Sequence, residues 1–458
     1  MANNSSTENQ ENPESTQGTA IPHAEPIGGV NSLQSAIEHE KNPVKRLFKI
    51  LGPGLIAGAS DDDPSGIGTY SQAGASLGLA TLWLALWTFP LMAAIQYICA
   101  KIGMVSGQGL ASVLRENYPR KLLFPVVMAL AVANIINAGV DLGAIGAALN
   151  LLIPIPITLV IIPVALLILG VQIWGSYRLI AKVFKWLTLA LLTYIGAAFF
   201  ARPDAGEVLR HAFIPTFQLN KIFLATVVAI LGTTISPYLF FWQADQEVEE
   251  EVSMGRKQLW QRTGATNAEL TYAFWDVNIG MFISNLVMFF IILATASTLF
   301  AAGKTNIQTA TDAAEALRPL AGNTATLLFA IGLIGAGFLA VPVLTGSATY
   351  AVAEAFGLPY GLDRKPGQAK GFYVILVIAT LLALLINYLG INPIQALFWT
   401  AVINGFIAVP LLVVIMLIAN NPKVMGKRVN GRVDNFLGWL TVAVMAAAAI
   451  GLILTWGQ

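Results

Sequence analysis

Residues 52–74 read Gly52-Pro53-Gly54-Leu55-Ile56-Ala57-Gly58-Ala59-Ser60-Asp61-Asp62-Asp63-Pro64-Ser65-Gly66-Ile67-Gly68-Thr69-Tyr70-Ser71-Gln72-Ala73-Gly74. Both ends are apolar and rich in small residues. The middle carries three consecutive carboxylates, followed at once by a proline. One ionised Asp at the centre of a lipid-facing helix costs about 3 kcal/mol on insertion scales. Pro64 removes a backbone donor, and its ring clashes with the preceding turn. Together they predict an unwound stretch lining a polar cavity. A proline kink alone would not, since Pro and Gly are frequent in membrane helices. Three acids at one break make it a candidate site.

Outward from this stretch the chain has a membrane composition. Of 458 residues, 56% are hydrophobic and 11% charged, with mean hydropathy +0.69; soluble domains run at roughly 45–50% and 25%. A soluble enzyme, a disordered chain and a disulfide scaffold are excluded. A net charge of +1 provides no field for nucleic acid. The single cysteine, Cys99, allows no intrachain disulfide or Cys-based zinc site. The only histidines are His23, His39 and His211, so no Ser/His/Asp set is expected within the membrane. With no phosphate-binding glycine loop before a strand, the chain is not expected to be an enzyme or to carry a cofactor.

Spans of about 20 apolar residues fall at eleven places: 47–76, 79–103, 121–150, 156–174, 179–201, 222–243, 273–300, 325–356, 370–391, 394–419 and 435–456. Continuous runs such as Phe124–Ala133 and Val442–Leu454 do not alternate as barrel strands do. Residues 1–40 are polar, without Lys, Arg or an apolar h-region. They predict a disordered tail reaching to residue 46, not a signal peptide. With that tail inside, all but five of the 26 Lys and Arg lie in inside segments. The five are Arg202, Arg210, Lys221, Lys304 and Arg318. The asymmetry predicts a multi-pass protein of the cell (inner) membrane, N-terminus cytoplasmic and C-terminus extracellular. The bilayer is then a partner, and nothing in the sequence demands more than a monomer.

A second interruption reads Leu231-Gly232-Thr233-Thr234-Ile235-Ser236-Pro237-Tyr238. It lies in the sixth span, five after the first. Paired breaks at corresponding positions of two halves point to the ion site of a secondary transporter. Unwound carbonyls and half-helix C-termini carry partial negative charge and suit a cation; Asp63 supplies a full charge.

The first break resembles the Nramp family of divalent-metal transporters, most closely its magnesium-transporting branch. That family reads Gly-Pro, a short apolar run, Asp-Pro-Gly-Asn, then Gln-Ala-Gly. Gly52-Pro53 and Gln72-Ala73-Gly74 fit without gaps and place Asp63-Pro64 on the Asp-Pro. Asp141-Leu142, the Pro237 break, Asp276 and Gly346–Tyr350 extend the likeness. The resemblance implies an all-α, LeuT-like fold of eleven helices. Two inverted repeats would cover residues 47–201 and 222–419, with residues 435–456 appended, and access would alternate around a metal between spans 1 and 6.

The departures from the family pattern narrow the cargo. The family's Asn ligand falls on Gly66 and its neighbouring Gly on Ser65; its Met-Pro-His is Ser236-Pro237-Tyr238, preceded by Thr233. The soft thioether is gone, and hard oxygen ligands with retained water suit Mg²⁺. The resemblance therefore implies metal contacts at Asp63, Ser65, Gly66, Thr233 and Ser236, assisted by carbonyls near Ser60 and Ile235. Asp61 and Asp62 add acid to the cavity. The family's sixth-span histidines fall on Tyr238 and Gln243, and its third-span Glu on Ala144. Asp63 and Asp141 alone make a poor proton relay. The expectation is uptake of Mg²⁺, with Mn²⁺ also accepted, uncoupled to protons. The alternatives are a proton-coupled Mn²⁺/Fe²⁺ symporter and an amine or amino-acid transporter of the same fold.

Other polar residues read two ways. Thr400 and Asn404 share a face and suit a metal-bound water or, more commonly, an interhelical hydrogen bond. Asp276 and Asn285 are equally open. Asp245 and the Gln246–Glu251 run read as a solvated loop sooner than a cation-release vestibule. Trp83, Trp87, Trp242, Trp275, Trp399 and Trp456 read mostly as an interfacial belt.

Overall fold

The structure, a computed structural model, describes residues 52–175, 193–362 and 364–456. The expected tail and most of the fifth span, residues 179–201, lie outside the described residues; of that span only Thr193–Phe200 is described as helix. Every regular element among the described residues is helical. Among the described residues, eight stretches are long and apolar enough to cross a membrane. The expected ninth span is a shorter helix, Lys370–Ile386.

The first span is two helices, α1 (Pro53–Asp61) and α2 (Pro64–Leu77), separated at Asp62 and Asp63. There follow α3 (Trp83–Ser106), the short α4 (Leu110–Asn117), α5 (Arg120–Leu152) and α6 (Ile157–Trp174). The sixth span is likewise broken, into α7 (Lys221–Thr234) and α8 (Pro237–Ser253). Then come α9 (Asn267–Thr295), α10 (Ala325–Ala355), α11 (Lys370–Ile386), α12 (Pro393–Ala419) and α13 (Arg432–Thr455). Both broken spans restart on a proline, whose missing N–H costs nothing in a first turn and whose φ suits it. Prolines 125, 163, 342 and 410 lie inside helices that continue through them.

Small residues set the central packing. A Cβ on Gly58 of α1 would overlap the Gly280 backbone of α9, and one on Gly54 would sit 2.6 Å from Val277 N. On the opposite side, Gly232 of α7 meets Ala401 and Gly405 of α12 just as closely. Such contacts drive helix association where lipid supplies no hydrophobic force. α5 and α10 pack along one another as a second centre. At the periphery, α6 and α13 expose apolar side chains such as Leu159, Leu166, Ile453 and Leu454, as lipid-facing helices do.

Two expectations are corrected. The Asp245–Glu251 run is no solvated loop. It continues α8, and Asp245, Glu247 and Glu251 are buried. Trp242 is not part of an interfacial belt. It is fully buried and packs edge-on against Tyr350 at 6.2 Å between ring centres.

Candidate ion site at the two helix breaks

The α1–α2 break is organised by Asp63. Its backbone is extended, and it caps α2. Oδ1 accepts the Gly66 N–H at 2.6 Å and the Ser65 hydroxyl at 2.8 Å; Oδ2 accepts the Asn137 amide of α5 at 3.0 Å. Such a cap satisfies donors that the helix start leaves orphaned. Asp63 is 1% exposed, and among the described residues no Lys or Arg pairs with it. Three neutral donors orient the carboxylate and leave its charge uncompensated. An isolated buried charge is costly, which makes the Asp63 carboxylate the candidate centre of an ion site.

The residues expected around Asp63 divide by what they do. Ser65 spends its hydroxyl on Asp63 and so orients the carboxylate. Gly66 contributes its N–H and room: a Cβ there would lie 3.3 Å from the Asp61 carbonyl, from Thr233 Oγ1 and from the Tyr70 ring. Thr233 therefore faces the first break from the second, its buried hydroxyl beside the Tyr70 phenol. Ser236 turns inward, donating to the Thr233 carbonyl of its own broken span. The Tyr238 hydroxyl donates to the Ser60 carbonyl at 2.8 Å, joining α8 to the end of α1. The Tyr238 carbonyl accepts from Ser347 of α10 at 2.9 Å. Asp141 is fully buried, its carboxylate beside the Ser65 N–H of the first break.

Asp61 and Asp62 do not converge with Asp63. Both lean to Ser284 of α9, whose hydroxyl lies 2.6 Å from Asp61 and 3.3 Å from Asp62. Among the described residues, no three Asp, Glu, His or Cys side chains are arranged to hold one metal ion. Thr400 bonds the Leu397 carbonyl of its own helix at 2.9 Å, reaching neither a neighbour helix nor the break. Asn404 is buried in α12, beside the Gly405–Gly232 contact. Asp276 holds α1 in place: its oxygens accept the N–H groups of Gly52, Gly54 and Leu55 at 2.8, 2.6 and 3.1 Å.

Two partners went unnoticed in the sequence, Asn137 and Ser284. Asn137 carried a signal, since it sits one helical turn before Asp141 on the same face. Ser284 carried none, because serine is common in membrane helices. Beyond Gly66 along α2, a cavity of about 1110 Å³ is lined by Gly68, Gln72, Thr226, Lys221, Asn306 and Gln395 among others. It reaches the face that bears Lys221 and Lys304.

Two broken spans that meet at a buried carboxylate, within a bundle of membrane-length helices, are the architecture of a membrane transporter. A sequence model of the natural resistance-associated macrophage protein (Nramp) family matches residues 54–455, and the chain belongs to that family. Among solved structures it is similar to the Eremococcus coleocola manganese transporter in complex with an aromatic bis-isothiourea compound. The TM-score is 0.71 at 19% identity, over 90% of this chain and 87% of that one. It is also similar to Mhp1, a nucleobase-cation-symport-1 family transporter, with TM-score 0.58 at 14% identity, over 88% and 90%. At these identities the likeness is one of fold.

Proposed function

We propose that the protein imports divalent metal ions, chiefly Mg²⁺ and also Mn²⁺, as partly hydrated ions and without a co-transported proton. The observation that carries the reading is the buried Asp63 carboxylate, oriented by neutral donors, with the Thr233 hydroxyl of the other break beside Gly66. Every candidate donor is an oxygen. No thioether or imidazole stands at the breaks, and Mg²⁺ takes oxygen ligands while keeping several waters. Ser65 and Gly66 position the carboxylate; Thr233 and the carbonyls near Ser60 and Ile235 supply the remaining oxygens. The cavity beside Gln72 and Gln395 is the outer vestibule, the N-terminus is cytoplasmic, and two five-span halves rock around the site. The membrane potential supplies roughly 4.6 kcal/mol per 100 mV for a divalent ion, twice the single-charge value, so uptake needs no second driving ion.

The test is Mg²⁺ and Mn²⁺ uptake into proteoliposomes, with internal pH followed in parallel. Uptake is expected without acidification, and Asp63→Ala is expected to abolish it. Normal flux through Asp63→Ala refutes the site. A second reading, proton-coupled Mn²⁺ or Fe²⁺ transport, draws on the buried Asp141 carboxylate beside the first break. Acidification that tracks metal entry would select it.

A further inference from the structure

An amide carries its donor and its acceptor on one carbon, so an asparagine that gives its N–H to a carboxylate keeps an acceptor oxygen close by. Asn137 of α5 is placed in this way. It is fully buried, its Nδ2 donates to Asp63 Oδ2 at 3.0 Å, and among the described residues its Oδ1 has no hydrogen-bond partner. The reverse placement of the amide would set two acceptor oxygens against each other at that distance, so the nitrogen is the atom that faces Asp63. Asn134 lies one turn back on the same face. It is 1% exposed, and its Nδ2 is likewise without a partner. Asp141, one turn ahead, lies beside the Ser65 N–H. Residues 134, 137 and 141 thus form one polar stripe on α5, and its middle member grips the carboxylate of the first break. The two orphan groups are neutral amides, so no change of protonation relieves them. A buried polar group left unmet is costly, and water ordinarily satisfies such groups.

We propose that Asn137 is a positioning residue that sets ion selectivity: its N–H holds Asp63 Oδ2, and its Oδ1 accepts a hydrogen bond from a water on the ion that Asp63 binds. The proposal rests on the metal-transport reading above. A water on a divalent cation points its lone pair at the metal and has two O–H groups to place. It therefore needs acceptors, and the amide oxygen beside the ligand carboxylate is one. The same side chain then fixes the ligand and a member of the ion's hydration shell, as outer partners of metal ligands commonly do. Mg²⁺ dehydrates reluctantly and is bound with several of its waters. An acceptor for such a water favours Mg²⁺ over an ion that gives its water up more readily.

The test is uptake of Mg²⁺ and of Mn²⁺ by the full-length protein in proteoliposomes, with KM and kcat read for each ion. Asn137→Leu keeps the size of the side chain and removes both hydrogen-bonding groups. It is expected to raise KM for Mg²⁺ roughly tenfold or more, the usual effect of removing a group that orients a metal ligand. KM for Mn²⁺ is expected to rise by about threefold at most, because Mn²⁺ gives up water more readily than Mg²⁺ does. The change in the ratio of the two KM values is the decisive readout, since a merely structural loss acts on both ions alike. Equal rises for the two ions, no rise for either, or a fall in kcat with both KM values unmoved overturns the proposal and leaves Asp63 as the proposed ligand. Wild-type protein that carries neither ion, or Mn²⁺ alone, overturns the transport reading and this proposal with it, and does so before any variant is made. If Asn137→Leu does not fold, Asn137→Ser decides on the same ratio: its hydroxyl fits the space and is too short to reach both the carboxylate and the water.

Discussion

Asp63 does two things that substitution can separate. As the cap of α2 it accepts the Gly66 N–H and the Ser65 hydroxyl; as an anion it is, in the proposed function, the ligand of the carried cation. Asn caps a helix about as well as Asp. Asp63→Asn should therefore keep the fold, with thermal stability near the wild type, and lose metal uptake. Asp63→Ala loses the cap too and should cost a further ~0.5–2 kcal/mol. Melting curves of the two variants in detergent, set beside their uptake, check the separation. Equal destabilisation by both would mean that the charge, not the cap, holds the break together. The break at this residue was legible in the sequence because an acid run before proline in an apolar span is poorly served by a continuous helix. Its neighbours were less so. Ser65 and Ser236 are small hydroxyls whose direction depends on backbone torsions at the breaks, and one faces Asp63 while the other faces its own helix.

At the scale of elements, α1 is bound to α9 by two devices. Asp276 accepts three N–H groups from the start of α1, and Gly54 and Gly58 press on Val277 and Gly280. Gly58→Ala must push backbone against backbone, and overpacking of this kind costs about 1–3 kcal/mol. The expected result is a lowered melting temperature, while Gly367→Ala, where nothing lies within 4 Å of the new methyl, should change it little. An unchanged melting temperature for Gly58→Ala would show that α1 and α9 separate freely. Both breaks were legible because Pro64 and Pro237 each follow a run of small polar or acidic residues; proline alone does not end a helix here, as Pro125, Pro163, Pro342 and Pro410 show. The burial of Asp245, Glu247 and Glu251 was not. A dense acidic run ordinarily marks a solvated face, and only the packing of α8 against α10 and α3 puts these carboxylates inside. Trp242 was misread for the same reason: a tryptophan near a span end is indistinguishable in sequence from one turned onto Tyr350.

At the scale of the whole molecule, the two faces differ in access to the breaks. The cavity lined by Gln72 and Gln395 reaches toward Gly68, which packs on Leu397, while Asp63 beyond it is closed off. Past the second break, Gln243 is fully buried and bonds Glu247 at 2.9 Å. Alternating access requires this asymmetry to invert when an ion is carried through. The sole cysteine, Cys99, is buried, so single cysteines can be introduced with little background labelling. Gln395→Cys should react with a membrane-impermeant thiol reagent added outside, and Gln243→Cys should not react from either side. If Mg²⁺ is the cargo and favours the opposite arrangement, adding it populates that arrangement. It should slow labelling at residue 395 from outside and open residue 243 to reagent added from inside, because an ion binding both states shifts their balance only through its preference between them. Labelling at both positions that ignores Mg²⁺ would mean that the cavity is a static surface feature and not the entrance to the site.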